Sequence, residues 1–363
     1  MVDQASPTVR RRSRARLVIQ VAVSLVLVVF IFYFLLKKID IGQVWTAITG
    51  MTWLELTLLG LLALWNLCTY AFVWMAVTPD PGLSFGHAMV MTQSSTAVAN
   101  TVPGGGAIGI GMTYTMLGSW GYSRSKTTTA VLVSGVWNSF IKLAMPVLAL
   151  ALVLLQGGAG GGRVTAALLG IAGLVGSVTV FALILRSEEG ARRFGLLAGR
   201  IASRVLRLVR RPPVHGWELA TTKFRSRTIA LVAHRWLSIT GTSLVSHLSL
   251  YLVLLVALRD VGVSNRQVGW AEVLAVFAFA RLATAIPFTP GGIGFVEAVL
   301  IAGLTAAGGN RTQVTAAVLV YRVLTWALPI VVGVGTYLWW RRQSLGTAAT
   351  QDAPAVGTQP PAR

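Results

Sequence analysis

The sequence predicts an all-α polytopic membrane protein, with six transmembrane helices plus two re-entrant helical hairpins in an inverted repeat. Three observations predict it. Of the 363 residues, 55% are hydrophobic and only 12% charged, about half the charged fraction that covers a soluble domain. Several apolar runs exceed the roughly 18 residues that span a hydrocarbon core. Two apolar segments are broken by Pro-Gly-Gly and flanked alike, ANTVPGGGAIGIGMTYTML (99–117) and ATAIPFTPGGIGFVEAVL (283–300).

Taken in order, a basic N-terminus (1–16) precedes a first span at 17–36. That run is too long for a signal-peptide core, ends in Lys37-Lys38 and lacks a small-residue cleavage site, so it reads as uncleaved. Further spans fall at 53–77, 127–155, 164–185, 236–258 and 312–340. The segments 84–118 and 267–309 are apolar but interrupted, and each reads as a hairpin that enters and leaves on one side. The first three spans make one half and the last three the other: 17–185 holds the first membrane half and the opening span of the second, and 236–340 the remainder of the second half. Three crossings per half is an odd number, so the second half must be inverted. The mid-span prolines of FIKLAMPVLALAL (140–152) and VLTWALPIVVGVG (323–335) strengthen the match. Inverted repeats with broken helices are a transporter pattern. The tail, 341–363, is polar and Pro-rich and is expected to be disordered.

The net charge of +20 would suggest nucleic acid in a soluble protein. Its placement argues otherwise. With both termini cytoplasmic, 22 of the 31 Lys and Arg lie inside, which the positive-inside rule and anionic lipid account for. No nucleic-acid partner is expected. The segment 186–235 carries a basic amphipathic helix. Phe194, Leu197, Ile201, Val205 and Leu208 share one arc, and Arg193, Arg200, Arg204, Arg207 and Arg211 lie beside it, suited to an anionic leaflet.

The candidate site centres on the breaks. In TPGG, Thr289 suits an N-cap and Pro290 a first helical residue. Gly291 and Gly292 would then leave bare N–H groups at a positive helix end, a ready anion site. Pro103, Gly104 and Gly105 repeat the device in the first hairpin. Irregular backbone at membrane depth needs protein or a wet cavity around it. Lys142, Arg281 and Arg322 are embedded cations and Glu297 an embedded carboxylate; each costs about 2.5–3.5 kcal/mol at the bilayer centre. Arg281 and Glu297 lie at one depth on adjacent arms and could pair; a purely structural ion pair is the simpler reading of these charges. Asn66 and His247 read as helix–helix hydrogen-bonding residues, and the lone Cys68 as a small core residue. No paired carboxylates, metal-ligand spacing, P-loop or nucleophile elbow is present, so neither an enzyme nor a cofactor is expected.

TPGGIGFVEA (289–298), YRVLTWALP (321–329) and VPGGGAIG (102–109) together resemble the flippase-like integral membrane family related to the transmembrane domain of lysylphosphatidylglycerol synthases. The resemblance covers roughly 17–340. It implies a lipid-flipping bundle with two re-entrant hairpins, and carries Glu297 and Arg322 over as family positions. No soluble aminoacyl-transferring domain is expected, so lipid aminoacylation is not implied. Ile110, Gly111 and Met112 stand where many relatives place acidic and basic residues. The leading expectation is a multi-pass protein of the inner (plasma) membrane that flips a lipid or lipid-linked anionic substrate, its partners being membrane lipids with anionic head groups. The alternative is a non-transporting scaffold for a lipid- or glycan-modifying enzyme.

Overall fold

Caps and breaks set the boundaries of the helices. The computed structural model describes residues 41–78, 82–102, 104–155, 161–208, 217–284 and 289–351, and among these every regular element is helical. The helices are α1 (Ile41–Thr49), α2 (Trp53–Val77), α3 (Phe85–Thr101), α4 (Gly105–Ser119), α5 (Arg124–Leu155), α6 (Gly161–Arg186), α7 (Glu188–Leu208), α8 (Trp217–Asp260), α9 (Trp270–Ala283), α10 (Phe295–Ala306), α11 (Arg311–Arg322) and α12 (Leu328–Gln351). Thr52 and Glu55 form a capping box that starts α2. The Asn310 side chain accepts from Thr312 and Gln313 at the start of α11.

Between α11 and α12 the chain forms a wider π turn over Val323–Ala327. Pro329 explains it: the ring has no N–H and crowds the carbonyl of Thr325 four residues back. The turn widens, and the Leu328 N–H reaches Val323 O instead. In α5, Pro146 is absorbed within one continuous helix.

Large apolar side chains cover the outside. Trp53, Leu155, Val331 and Leu237 are 87%, 84%, 70% and 67% exposed, a surface that suits lipid and not water. Among the described residues, four helices are long and apolar enough to cross a membrane: Trp53–Val77, Arg124–Leu155, Phe224–Asp260 and Arg311–Ser344. The expected span at 17–36 lies outside the described residues. The one at 164–185 falls in α6, whose segment Ile171–Leu183 meets Glu188–Leu197 at a bend of 113°. α12 runs on to Gln351, past residue 341, where the sequence reading starts the disordered tail.

Both interrupted segments form helix–break–helix hairpins, α3 with α4 and α9 with α10. Each lays its first arm on a long helix of the other half: α3 against α12, and α9 against α5, while α2 packs along α8. Gly333 makes the first contact close, since a Cβ there would meet the Gln93 carbonyl oxygen. The largest buried apolar cluster joins α5, α8, α9, α10 and α11 around Phe277, Leu254, Leu258, Leu300 and Leu304. A smaller one holds the first hairpin around Met91, Met116 and Leu117.

Asn66 bridges α2 to α8, donating to Ser246 O (3.2 Å) and Ser249 Oγ (2.6 Å), as its type and place suggest. Arg259 knits the turn into the second hairpin by donating to Val263 O, Asn265 Oδ1 and Val268 O.

Candidate functional site

The second break is an irregular loop rather than a clean helix start. Pro290–Gly292 makes a single 3-10 turn in which Gly292 N donates to Thr289 O at 3.1 Å. Helix α10 begins only at Phe295, with Gly294 before it and no side-chain cap. Thr289 is therefore not an N-cap, and Pro290 not a first α-helical residue. The Thr289 hydroxyl instead donates to Ile293 O at 2.8 Å and closes the loop. The sequence argument assumed that a helix would follow proline at once, but consecutive glycines with positive φ at 291 and 292 delay it.

Gly291 is the pivot. A Cβ there would sit 2.5 Å from Trp326 Nε1 and 3.0 Å from Asn100 Oδ1. Trp326 comes from the π turn and Asn100 from the end of α3, so Gly291 lies where the second hairpin's tip meets the first hairpin. Its carbonyl accepts from Arg322 Nη2 at 3.1 Å. Arg322 Nε donates to Glu297 Oε1 at 2.6 Å, with the side chains only 13% and 4% exposed. Glu297 stands in the first turn of α10, where the helix end itself favours a carboxylate. Of the two arginines open to Glu297, it is Arg322 that pairs with it, and this arginine also ties down the loop.

Arg281 and Lys142 form a second group. Lys142 Nζ donates to Thr284 Oγ1 at 3.1 Å, and that hydroxyl donates to Arg281 O at 2.6 Å. Neither cation has a carboxylate within 4.0 Å among the described residues, and the buried Arg281 Nε has no hydrogen-bond partner there. The Arg281 charge acts on both Lys142 and His247. It acts as well on the buried Tyr321, which also feels Arg322.

His247 is not a helix–helix bridge. Its Nδ1 faces the Ser243 carbonyl of its own helix at 3.0 Å. A carbonyl only accepts, so Nδ1 carries the proton and Nε2 keeps a lone pair. That Nε2 is buried without a partner. Thr284, Tyr321, Asn100, Trp326 and the free His247 nitrogen escaped the sequence reading. The one available pointer was the mid-span Pro329, which produces the turn that carries Trp326.

In the first hairpin Pro103 lies outside the described residues. Gly104 caps α4 in the left-handed region at φ 70°. Gly105 is buried against α3, since a Cβ there would meet the Val98 and Ala99 carbonyl oxygens. No charged side chain lies in that break. Alongside it, a cavity of about 730 Å³ runs between α3, α4 and α12, from Trp340 and Tyr337 past Val334 and Met112 to Thr101. A smaller cavity of about 270 Å³ lies between α5, α9 and α10, lined by Leu150, Val276, Phe279 and Gly303.

The family profile described as "Lysylphosphatidylglycerol synthase TM region" matches residues 18–333. The "Inner membrane protein YbhN" of Escherichia coli (strain K12) is 29% identical over 143 residues, which is 39% of this chain and 44% of that protein. The chain thus spans less than half the length of this curated relative.

Proposed function

Because the chain belongs to the lysylphosphatidylglycerol synthase transmembrane-region family of membrane proteins, we propose that it binds and translocates a lipid or lipid-linked anionic substrate. The observation that carries this is the pair Lys142, whose ammonium has one hydroxyl partner, and Arg281, whose buried Nε has none, neither with a carboxylate within 4.0 Å among the described residues. A purely structural role would place an acid beside them, as Glu297 stands beside Arg322. An anionic head group supplies the missing charge.

The exchanged packing supports an inverted repeat of six spans and two re-entrant hairpins. Under that repeat α3 on α12 corresponds to α9 on α5, and α2 on α8 to itself. The two cavities correspond as well, each between a hairpin and the long helix of the other half. They suit acyl chains on either side of a head group held at the hairpin tips. Both termini then lie in the cytoplasm, and cysteine labelling tests it: Arg204→Cys should react only from inside and Arg266→Cys only from outside.

The activity is transport, not catalysis, and its test is lipid transfer in vesicles carrying the full-length protein. Wild type should move a labelled anionic lipid across the bilayer, and Arg281→Gln should not. Transfer no faster than in protein-free vesicles would sink this reading.

A scaffold for a lipid- or glycan-modifying enzyme is the second reading. α8 has 44 residues, about 66 Å of helix, so much of it projects beyond a core of roughly 30 Å. α7 packs on it; Ala191, Gly195, Gly199 and Ser203 are buried at helical spacing, while Arg193, Arg200 and Arg204 are exposed. Leu197, 55% exposed, faces neither, which suits an anionic leaflet surface as well as a docked partner.

A further inference from the structure

We propose that the head group taken at Lys142 and Arg281 is a phosphomonoester or diphosphate dianion, so that the substrate is a lipid phosphate and not a phosphodiester lipid. This rests on the lipid-binding reading above and narrows it to one substrate class. Lys142, Arg281 and Arg322 lie at the tip of the second hairpin, and Glu297 is the one carboxylate paired with any of them among the described residues, Glu272 lying at the other end of α9; with a bound anion holding Lys142 protonated, three cations against one anion leave two positive charges. Glu297 is consumed by Arg322 at 2.6 Å. Both uncompensated charges therefore belong to Lys142 and Arg281. A phosphodiester brings one negative charge and leaves one of these cations unmatched inside the protein, where an unpaired charge is costly. A phosphomonoester or diphosphate brings two and leaves none. A zwitterionic head group would set a third cation against the pair.

Hydrogen-bonding capacity points the same way. Arg281 Nε is a buried donor without a partner, and Lys142 spends one of its three N–H groups on Thr284. Charged oxygens of a terminal phosphoryl group satisfy both.

The test uses the full-length protein in lipid-poor micelles and competition among dioleoyl phosphatidic acid, phosphatidylglycerol of the same chains, and inorganic phosphate. Wild type should prefer phosphatidic acid by about tenfold or more, the order of one additional charge-assisted contact. Lys142→Gln and Arg281→Gln should each bring phosphatidic acid down to the phosphatidylglycerol level, and Arg124→Gln, at the far end of α5, should leave the preference intact. Should Arg281→Gln fail to fold, Lys142→Gln carries the test alone. Equal binding of the two lipids by wild type overturns the proposal, as does a preference that survives Lys142→Gln. Displacement of phosphatidic acid by an equal concentration of inorganic phosphate would assign the site to free phosphate and overturn the lipid part. Transfer assays separate this from the broader reading. No translocation with the preference intact sinks transport alone, while equal binding and equal transfer of both lipids sinks the dianion alone.

Discussion

In the first hairpin α3 ends at Thr101 and α4 begins at Gly105, lying so close on α3 that Gly105 and Gly109 admit no side chain. In the second α9 ends at Ala283 and α10 begins only at Phe295, and an arginine from α11 ties the Gly291 carbonyl to Glu297 of α10. Both start from the same Pro-Gly-Gly signature. One is closed by backbone contact and contains no charge, while the other carries a buried ion pair and has two further cations beside it. The difference shows how a duplicated motif divides its tasks. Tight glycine packing gives a rigid arm that bounds an apolar cavity, and the looser copy makes room for polar groups at the tips.

The largest expected effect comes from breaking that ion pair. Glu297→Gln leaves Arg322, 13% exposed, with a neutral partner, and breaking a buried pair from one side costs about 3–5 kcal/mol. The second hairpin should loosen while the first is unaffected. Unfolding in detergent should show the loss, and Glu297→Gln with Arg322→Gln should recover part of it, since no uncompensated cation remains. A single variant as stable as wild type would mean that water reaches the pair and that the break is not held by it.

The first hairpin is tested at its glycines. A methyl at Gly105 meets the Val98 and Ala99 carbonyl oxygens, backbone atoms that cannot step aside, so Gly105→Ala should cost about 1–3 kcal/mol. At Gly106 there is open space, and Ala should be neutral or stabilising by about 0.5–1 kcal/mol because it is the better helix former. If the two behave alike, the arms of the first hairpin are not packed backbone to backbone.

Much of this was legible in the chain. Helix α2 occupies the expected 53–77, and both interruptions fall where the Pro-Gly-Gly runs predict, because long apolar runs and helix breakers are local signals. The embedded charges were also legible, since any cation in an apolar run stands out. Their partners were not. Arg322 and Glu297 are 25 residues apart in separate helices, and depth alone could not choose between Arg322 and Arg281 for Glu297. The start of α10 was misjudged because proline and threonine signal a helix, while the consecutive positive-φ glycines after them postpone it. The exchange of hairpin arms between halves is a tertiary contact that no periodicity encodes.

A smaller effect should separate the two glycines at the second tip. Both have positive φ, so alanine at either pays about 1–2 kcal/mol for the left-handed region. At Gly292 the further neighbour is Val296 Cγ2 at 2.9 Å, a methyl that can rotate away. At Gly291 the neighbours are Trp326 Nε1 and Asn100 Oδ1, held by the π turn and by the other hairpin. Gly291→Ala should therefore cost more than Gly292→Ala and should also slow lipid transfer by parting the tips. Equal losses would mean that the tips do not meet in the membrane.

The smallest expected change has the opposite sign. Lys142 is half-buried on α5, and its ammonium has one hydroxyl, Thr284, and no acid. Replacing a charge so placed with an apolar side chain of similar length removes a desolvation cost, so Lys142→Met should raise stability by about 1 kcal/mol. The same change should lower phosphatidic acid binding to the phosphatidylglycerol level and slow transfer to match, because only one uncompensated cation remains. Glu297→Gln should lose stability and transfer together, whereas Lys142→Met should gain the first and lose the second. That split is what a charge kept for a ligand predicts, because its cost is recovered only when the ligand is bound. Thermal unfolding in detergent measured beside lipid transfer in vesicles decides it. If Lys142→Met is less stable than wild type, the ammonium is a packing and hydrogen-bonding element of the second hairpin, and the contrast between a packed copy and a ligand-holding copy fails.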